Sequence, residues 1–477
     1  MAEPTVTAAQ RKQILKVLFF SLLLDLISFT FILPLFPSLL TFYLERDPSP
    51  DSFLNRILHY LNSYKNAFAK PIDSRYDVVL LGGALGSLFS FLQALAAPVI
   101  GRTSDTYGRR TALLWSMAGN ILSVALWVAA TDFKTFLGSR IVAGLSEGNV
   151  QIANAIATDI SDESQRGATM ALVGACFSIA FTFGPALGAA LSSITTVAAN
   201  PFATAAGCSL LLILTETAYL YYCLPETHPR LTKLETSSSS STAGKKEENV
   251  NAKDAPKGAT ASTTPSTKRQ YTNQPSLLSL THFLFLLPFS GLEFSLPFLI
   301  ATIYSSISPT AEATTNPSAL NGRLLSVMGL LAAILQGTVV RRLPSLLTVR
   351  IGVVACALSF LMLGRISSVP GLYAAGCLLA VTSATVVNGL NSLGSLEAGE
   401  GERGVFLGRL RSWGQAGRAM GPISFCTLFW WGGREMAYNV GAVVMMGVCA
   451  LVFGGLKDPR TAGSSSHRVK ANDGCTS

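Results

Sequence analysis

The sequence predicts an all-α membrane protein in which twelve transmembrane helices form two pseudo-symmetric bundles of six. Composition is the first reason: 49% of the residues are apolar and only 13% are charged, about half the charged fraction of a soluble domain. Length is the second, because apolar stretches of about 20 residues, enough to cross a ~30 Å hydrocarbon core, follow one another along the chain. Such stretches must be helices, since an open sheet leaves its backbone groups unsatisfied in lipid.

An internal repeat is the third reason. One pattern of polar residues and glycines returns 237 positions later with the same spacing: Asn154, Glu163, Arg166, Gly167, Gly184 and Pro185 recur as Asn391, Glu400, Arg403, Gly404, Gly421 and Pro422. Two related membrane halves in one chain are typical of secondary transporters, in which the substrate site lies between the halves.

The apolar pattern also gives the boundaries of the predicted membrane spans. The predicted spans cover about 14–40, 78–99, 111–130, 135–157, 168–192, 203–224, 278–303, 322–340, 349–367, 371–394, 404–431 and 437–456. They divide the chain into an N-terminal tail (1–13), a first bundle (14–228), a linker (229–275), a second bundle (276–456) and a C-terminal tail (457–477). The linker is rich in Ser, Thr and Lys and cannot form a core, so we expect it to be disordered. Apolar residues at helical spacing predict a short amphipathic helix in the first outer loop, about 45–77.

The net charge is +9, and its distribution along the chain indicates a membrane topology rather than nucleic-acid binding. Arginine and lysine residues fall in alternate loops, which places both termini and the linker in the cytoplasm. The cysteine and histidine residues do not have metal-site spacing, so neither a metal nor a cofactor is predicted. The stretch Gly144-Leu-Ser146-Glu-Gly148 fits a serine-hydrolase pattern, but it lies within a predicted membrane helix and not at a strand-to-helix turn. The sequence therefore predicts no enzyme.

The loop between the second and third spans carries a specific motif, Gly101-Arg-Thr-Ser-Asp105-Thr-Tyr-Gly108-Arg109-Arg110. A short connection between antiparallel helices needs glycines for its tight backbone geometry. Asp105 can pair with an arginine or cap the next helix, where a carboxylate is favoured. Arg109 and Arg110 are expected to hold the loop in the cytoplasm.

This loop resembles the signature loop of the major facilitator superfamily. Other stretches resemble the tetracycline/proton antiporters of that superfamily and the eukaryotic tetracycline-transporter-like proteins: Asp25-x8-Pro34-x2-Pro37, Arg140-Ile-Val-Ala-Gly144, Gly148-Asn149-Val150, Gly184-Pro185-Ala-Leu-Gly188, Ser290-Gly291-Leu292-Glu293 and Arg409-x-Arg411-Ser412. The chain departs from the family pattern at Thr106, where a basic residue is usual, and at Ala189, where a glycine is common. The resemblance implies the major facilitator fold, a monomer and a small organic substrate.

Acidic residues occur inside four predicted spans, at Asp25, Glu147, Glu216 and Glu293. A charge near the bilayer centre costs about 2.5–3.5 kcal/mol on insertion scales, so each acid is a functional candidate. Proton coupling needs a carboxyl group that is neutral in one state of the carrier and ionised in another. Asp25 and Glu293 are the leading candidates for that role. A satisfied structural hydrogen bond is the alternative for each acid, and it has more weight for Glu147 and Glu216.

Other polar residues are predicted to line the same cavity. Arg140 lies two helical turns before Glu147 on nearly the same helix face, and the resemblance places an arginine there near the proton route. Asn154 and Asn391 occupy matching positions in the two halves. For such amides, helix packing is the alternative role.

Two glycine-proline motifs fall inside predicted spans, Gly184-Pro185 followed by Gly188, and Gly421-Pro422. Proline removes a backbone hydrogen bond and kinks a helix, while glycine lets a neighbouring helix approach closely. The resemblance implies that the first motif marks exporters that exchange their substrate for protons.

The sequence therefore predicts a secondary active transporter that exports amphipathic organic compounds, drug-like or metabolic, in exchange for protons by alternating access. Its predicted partners are the substrate, protons and the lipid bilayer. A proton-coupled importer, an uncoupled facilitator and a non-transporting receptor or scaffold are the alternatives. The plasma membrane and the membrane of an acidic organelle both fit the sequence.

Overall fold

The computed structural model describes residues 7–67, 77–192, 194, 197, 200–229, 271–307 and 317–458. Throughout these residues the regular secondary structure is helical, which confirms the predicted all-α class. Most of the predicted linker and of the C-terminal tail lies outside the described residues, so the predicted disorder of these segments stays a prediction.

The α-helices of the described residues are, in chain order, α1 (Ala8–Thr30), α2 (Phe36–Arg46), α3 (Phe53–Asn66), α4 (Asp77–Tyr107), α5 (Arg109–Ala129), α6 (Phe133–Ser146), α7 (Asn149–Asp159), α8 (Arg166–Ser192), α9 (Ala203–Cys223), α10 (Pro275–Ile307), α11 (Pro317–Thr338), α12 (Ser345–Arg365), α13 (Val369–Glu397) and α14 (Arg403–Gly455). Local sequence explains several starts. Thr7 and Gln10 form a capping box at α1, and side-chain oxygens of Asp132 and Ser368 cap α6 and α13, each satisfying backbone N–H groups that the helix leaves unpaired.

Ten helices in this part of the chain are long and apolar enough to cross a membrane. One of them, α14, has 53 residues and reverses direction at Gly433, whose φ of 80° suits glycine. The rings of Phe425 and Tyr438, on either side of the reversal, lie 5.2 Å apart, which a straight helix would not allow. A further crossing is broken into α6 and α7 at Glu147 and Gly148. With α14 counted as two crossings and α6 together with α7 as one, the helices are compatible with the twelve predicted crossings.

Each half of the chain has its own hydrophobic core. One core is built from residues between Ile14 and Leu224, and the other from residues between Leu278 and Leu456 together with Ala155. Because each core closes almost entirely within one half, a movement of one half against the other leaves both cores packed. This is the arrangement that rigid-body switching requires.

The sequence repeat appears in the structure as a reciprocal contact between the halves. Arg166, the first residue of α8, donates to the backbone carbonyl of Ser395 at 2.8 Å. Arg403, the first residue of α14, donates to the carbonyl of Thr158 at 3.3 Å. Ser395 and Thr158 are separated by the same 237 positions as the two arginines. An exchange of equivalent contacts is what a two-fold relation between the halves produces.

The two glycine-proline motifs occupy equivalent places in the halves. A Cβ atom added to Gly184 of α8 would overlap the side chain of Thr30 at the end of α1. One added to Gly421 of α14 would overlap the Ser290 hydroxyl and the Leu287 carbonyl of α10. In each half, therefore, glycine lets one helix approach the first helix of that half at van der Waals distance.

The amphipathic helix predicted in the first outer loop corresponds to α3. Its residue Leu54 is buried in the core of the first half, and Leu61 packs beside it. Leu61 also contacts a small cluster that includes Trp430 of α14. The hydroxyl groups of Tyr64 and Thr427 are hydrogen-bonded, so α3 connects the first half to the second.

Candidate functional site

A small polar chamber lies inside the first half, between α1, α5, α6 and α9. Its volume is about 30 Å³, room for about two water molecules. Its lining includes the polar residues Asp25, Ser28, Asn120, Arg140, Glu147 and Ser209. The structure thus brings three of the predicted site residues, Asp25, Arg140 and Glu147, to one cavity. Their predicted functional roles are not decided by this placement and stay predictions.

Asp25 lies five residues before the end of α1 and is almost completely buried, with 3% of its surface exposed. Its atom Oδ2 has no hydrogen-bond partner. The amide of Asn149, the first residue of α7, interacts with this carboxyl group. A buried carboxylate with an unsatisfied oxygen is costly, so this position favours a group that can take up a proton.

Glu147 reaches the chamber because the crossing made of α6 and α7 is broken beside it. The N–H of Gly148 is hydrogen-bonded to the hydroxyl of Ser116 at 2.8 Å, and that hydroxyl also contacts the Ser146 carbonyl. These bonds from α5 replace helical hydrogen bonds lost at the break. The carboxylate of Glu147 receives a long hydrogen bond, 3.5 Å, from the amide of Asn120.

Arg140 is buried at the side of the chamber formed by aromatic residues. Its guanidinium carbon lies 5.7 Å from the ring centre of Trp127 and 5.6 Å from that of Phe136. Its Nε donates to the hydroxyl of Ser139 at 3.1 Å. Cation–π contacts stabilise a guanidinium that has lost its water shell, so Arg140 supplies fixed positive charge without a direct ion pair to Glu147.

A third acid, Glu216 of α9, adjoins this group. Its side chain is fully buried, accepts a hydrogen bond of 2.7 Å from Ser21, and has a second oxygen, Oε2, without a partner. It interacts electrostatically with Asp25 and Glu147. We call Asp25, Glu147 and Glu216 the acid triad. Among the described residues, no group of His, Cys, Asp or Glu has the geometry of a metal site.

Arg411 of α14 is a cation of the second half that acts on two acids of the triad. It interacts electrostatically with Glu147 and Asp25, and with the neighbouring cation Arg418. The buried Nε atom of Arg411 has no hydrogen-bond partner. Composition and spacing did not single out Arg411 as a site residue, although it stands in one of the stretches that carry the family resemblance. Only the packing of one half against the other places it opposite the acids.

Glu293 of α10 lies apart from the chamber and is not among its lining residues. Its carboxylate pairs with Arg418 at 3.1 Å, and the two side chains are 45% and 42% exposed. Lipid cannot solvate such an ion pair, so this part of the second half faces a space that water reaches. Its predicted part in proton coupling stays a prediction.

Asn154 and Asn391 do not line the chamber. Asn154 is buried in α7, where its backbone carbonyl accepts a hydrogen bond from Thr158. Asn391 lies in α13, partly buried. Their predicted role as cavity residues is untested by this geometry.

The signature loop takes part in a charged contact between the halves. Arg109 is fully buried and donates to Asp105 at 2.6 Å, to the Ser104 hydroxyl at 2.8 Å and to Asp159 at 2.7 Å. Asp159 also accepts a hydrogen bond of 2.8 Å from Arg403 of the second half. Buried charges need such pairing and hydrogen bonding. We call Asp105, Arg109, Asp159, Arg166 and Arg403 the charged lock.

Asp105 links the lock to the start of α14. Its two carboxylate oxygens accept hydrogen bonds from the N–H groups of Gly404 at 2.8 Å and Val405 at 2.7 Å, where the helix dipole favours negative charge. A Cβ atom on Gly101 would overlap the carbonyl of Gly404, so this glycine permits the close approach. Gly108, the residue before α5, has a φ of 98°.

Next to the lock, the start of α5 is hydrogen-bonded to the segment that ends the first half. Glu226 accepts hydrogen bonds from the N–H groups of Arg109, at 2.9 Å, and Arg110, at 3.2 Å. The side chain of Arg110 donates to the Tyr221 carbonyl at 2.5 Å. Burial lowers the pKa of nearby His228, and the Arg109 guanidinium acts in the same direction. Nothing in the sequence singles out Glu226, because a capping carboxylate has no motif of its own.

The chain is similar to known proteins in sequence and in fold. The family model described as Major Facilitator Superfamily matches residues 18–422. Major facilitator superfamily domain-containing protein 10 of Mus musculus is 34% identical over 92% of this chain and 92% of its own length. The protein of the same name from Homo sapiens is 32% identical over 90% of each chain.

Two further similarities concern function and structure. Tetracycline resistance protein, class C, of Escherichia coli is 35% identical over 30% of this chain and 34% of its own length. A solved structure described as the crystal structure of the human organic anion transporter MFSD10 (TETRAN) superimposes with a TM-score of 0.75 and 29% identity, covering 93% of this chain and 99% of that one. With a matching family model over most of its length and relatives of this similarity, the chain belongs to the major facilitator superfamily.

Proposed function

We propose that the protein is a proton-coupled transporter that exports amphipathic organic compounds in exchange for protons by alternating access. One observation carries the proposal: Asp25 and Glu147 line a chamber with room for water, buried Glu216 interacts with both, and Asp25 and Glu216 each keep one carboxyl oxygen without a partner. A structural carboxylate would have its hydrogen bonds satisfied. A proton carrier must instead be able to exist with and without its proton.

The proposed cycle uses the two cores and the seam between them. In one facing state Asp25 is protonated, and its neutral form is compatible with the dry surroundings of α1. In the other facing state water reaches the chamber, and the proton is released. A solute that binds at the carboxyl groups competes with the proton, so the carrier returns loaded with one or the other. This competition produces exchange.

The substrate class is supported by the relatives. One is named for resistance to tetracycline, an organic drug, and one solved relative is titled an organic anion transporter. Aromatic side chains suit flat organic molecules: Phe177 and Phe181 of α8 stack at 6.4 Å, and Trp413 of α14 is 47% exposed. We therefore propose amphipathic ring-containing compounds as the substrates.

Reconstitution of the full chain in proteoliposomes tests the proposal. With a fluorescent aromatic amine as the probe, an imposed pH gradient should drive its movement against the direction of proton flow. Asp25→Asn fixes the neutral form of that side chain. This variant should lose at least about tenfold of the gradient-driven rate, while the exchange of labelled for unlabelled probe across the membrane continues.

Glu45→Gln is the matched control, since Glu45 is an exposed acid at the end of α2 and is not among the residues that line the chamber. It should behave like the wild type. The proposal fails if the wild type moves the probe at the same rate with and without the gradient, or if Asp25→Asn keeps the full response.

A further inference from the structure

The positive charge opposite the acid triad has no role in the exchange proposed above. Arg411 comes from the second half, whereas all three acids belong to the first. It interacts electrostatically with both Asp25 and Glu147, yet none of the hydrogen bonds or ion pairs of the described residues joins it to either carboxylate. Arginine presents a planar set of donors that matches a carboxylate in two-point contact. Arg411 adjoins Ser412, whose hydroxyl donates to the Ala94 carbonyl of the first half at 2.6 Å, and its own buried Nε has no partner.

We infer that Arg411 binds the anionic group of organic anions at the seam, and that such anions are carried together with protons rather than in exchange for them. The inference rests on the proposed function, because it uses the same acid triad. It differs in the direction of proton movement relative to the substrate: a cationic substrate moves against the proton and an anionic substrate moves with it.

The sign follows from electrostatics. An anion on Arg411 places a negative charge beside Asp25 and Glu147, and like charges at short distance in a poorly solvated site repel strongly. Protonation of the two carboxyl groups removes the repulsion and also removes the anion's competitors for the arginine. Anion binding and proton binding therefore favour each other, and by thermodynamic linkage the effect is equal in both directions. The state that crosses the membrane holds both.

Other charged groups near the site modify this coupling without reversing it. The third acid of the triad, Glu216, adds a negative charge, and Arg140 adds a fixed positive charge behind the chamber. On the side of the second half, Arg418 is held by Glu293, and His282 lies buried with its Nδ1 3.0 Å from the Leu410 carbonyl. The charged and titratable groups that face the site are thus Asp25, Glu147, Glu216, Arg140, Arg411, Arg418 and His282.

Binding measurements on the purified full chain test the inference. The probes are pyrenebutyrate, which is anionic, and pyrenebutylamine, which is cationic and has the same ring. Energy transfer from tryptophan to pyrene reports binding between about pH 6 and pH 8, where both probes keep their charge. The affinity for pyrenebutyrate should rise as the pH falls, and calorimetry in buffers of different ionisation enthalpy should show proton uptake. The affinity for pyrenebutylamine should fall as the pH falls, and its binding should release protons.

Variants of α14 locate the anion site. Arg411→Gln should weaken pyrenebutyrate binding by about tenfold to a hundredfold, the effect expected for loss of a charged hydrogen-bonding partner, and leave amine binding unchanged or tighter. Arg411→Lys should recover part of the loss, because the charge remains but the planar set of donors does not. Arg409→Gln, two residues away and exposed, is the matched control and should bind like the wild type.

Each outcome has one meaning. Proton release on pyrenebutyrate binding, or an affinity that does not change with pH, overturns the shared transport of anion and proton, and the wild-type chain alone decides this. Wild-type binding by Arg411→Gln overturns the role of Arg411. If one of these results is obtained and the amine is still exchanged for protons in proteoliposomes, this inference has failed and the proposed function stands. If neither probe responds to a pH gradient, the proposed function has failed.

Discussion

Two kinds of acidic side chain occur in the membrane helices of this protein, and their surroundings separate them. In the acid triad, Asp25 and Glu216 are buried and each keeps an unpartnered oxygen, while Glu147 is partly buried and lines the chamber. The carboxylate of Glu293 is 45% exposed and has a cation, Arg418, at 3.1 Å. A nearby positive charge favours the ionised form of a carboxyl group, whereas burial without such a partner disfavours it. We therefore expect different roles for Asp25 and Glu293.

Glu293→Gln separates substrate binding from proton coupling. Because an exposed ion pair contributes only about 0–1 kcal/mol to stability, the variant should unfold at nearly the wild-type temperature. It should change the KM for transport, since Arg418 becomes free to attract or repel a solute, and leave the response to the pH gradient in place. Thermal unfolding in detergent and gradient-driven uptake measure the two effects.

The matched change for this comparison is Asp25→Asn, which removes the gradient response under the proposed function. If Glu293→Gln abolishes that response as completely as Asp25→Asn, then Glu293 belongs to the proton pathway, as the sequence analysis predicted.

At the scale of the helices, close approach through glycine sets the packing of each half. Gly421 lets α14 contact α10 through the Leu287 carbonyl and the Ser290 hydroxyl, and Gly184 lets α8 contact the end of α1. The following prolines cannot donate to the preceding turn of either helix. The glycines of both motifs therefore have a role in helix packing that does not depend on transport.

Gly421→Ala tests the packing. Its added methyl group meets backbone as well as a side chain, so the helices must move apart, at a cost of about 1–3 kcal/mol. The melting temperature in detergent should fall. Gly207→Ala is the control, because a Cβ atom at Gly207 of α9 meets nothing within 4 Å. Equal melting temperatures for the two variants would contradict the role given to this contact.

At the scale of the whole molecule, the charged lock joins the two halves at one end of the seam. Asp159 is its centre: its carboxylate pairs with Arg109 at 2.7 Å and with Arg403 of the other half at 2.8 Å, and none of it is exposed. The repeat is asymmetric here, because the equivalent position in the second half is Leu396. The carboxylate of Asp159 thus forms ion pairs with both halves, and this pairing stabilises the arrangement in which they touch.

Asp159→Asn should weaken this arrangement by about 3–5 kcal/mol, since two buried cations lose their shared partner. The population should shift toward a conformation in which the loop end of the seam is open. Spin labels at the exposed positions Thr106 and Arg341, one in each half, report the change as a longer distance. Asp162→Asn, an exposed neighbour outside the lock, should leave the distance unchanged. An unaltered distance in Asp159→Asn would show that other contacts hold the seam.

Much of the site could be reached from the sequence, for physical reasons that apply residue by residue. Asp25 and Glu147 stood out because acids are costly in apolar spans. The signature loop stood out because its glycines, acid and arginines occur at fixed spacing. Arg411 was not predicted as a site residue, because several charged residues stand at the start of its span and an arginine there is expected at a helix end. Glu216 was identified as an acid, but its proximity to Asp25 follows only from the packing of α9 against α1.

The sequence by itself determined the helical class, the relation between the halves and the cost of the acids, because apolar length, internal repeat and buried charge are properties of the chain read in order. The tertiary structure decided which charges meet. It brought Asp25, Glu147 and Glu216 together inside one half, set Arg411 opposite them from the other, and gave Glu293 a separate partner. Electrostatic interactions depend on distance through space, and contacts between helices far apart in the chain leave no periodic trace in its sequence.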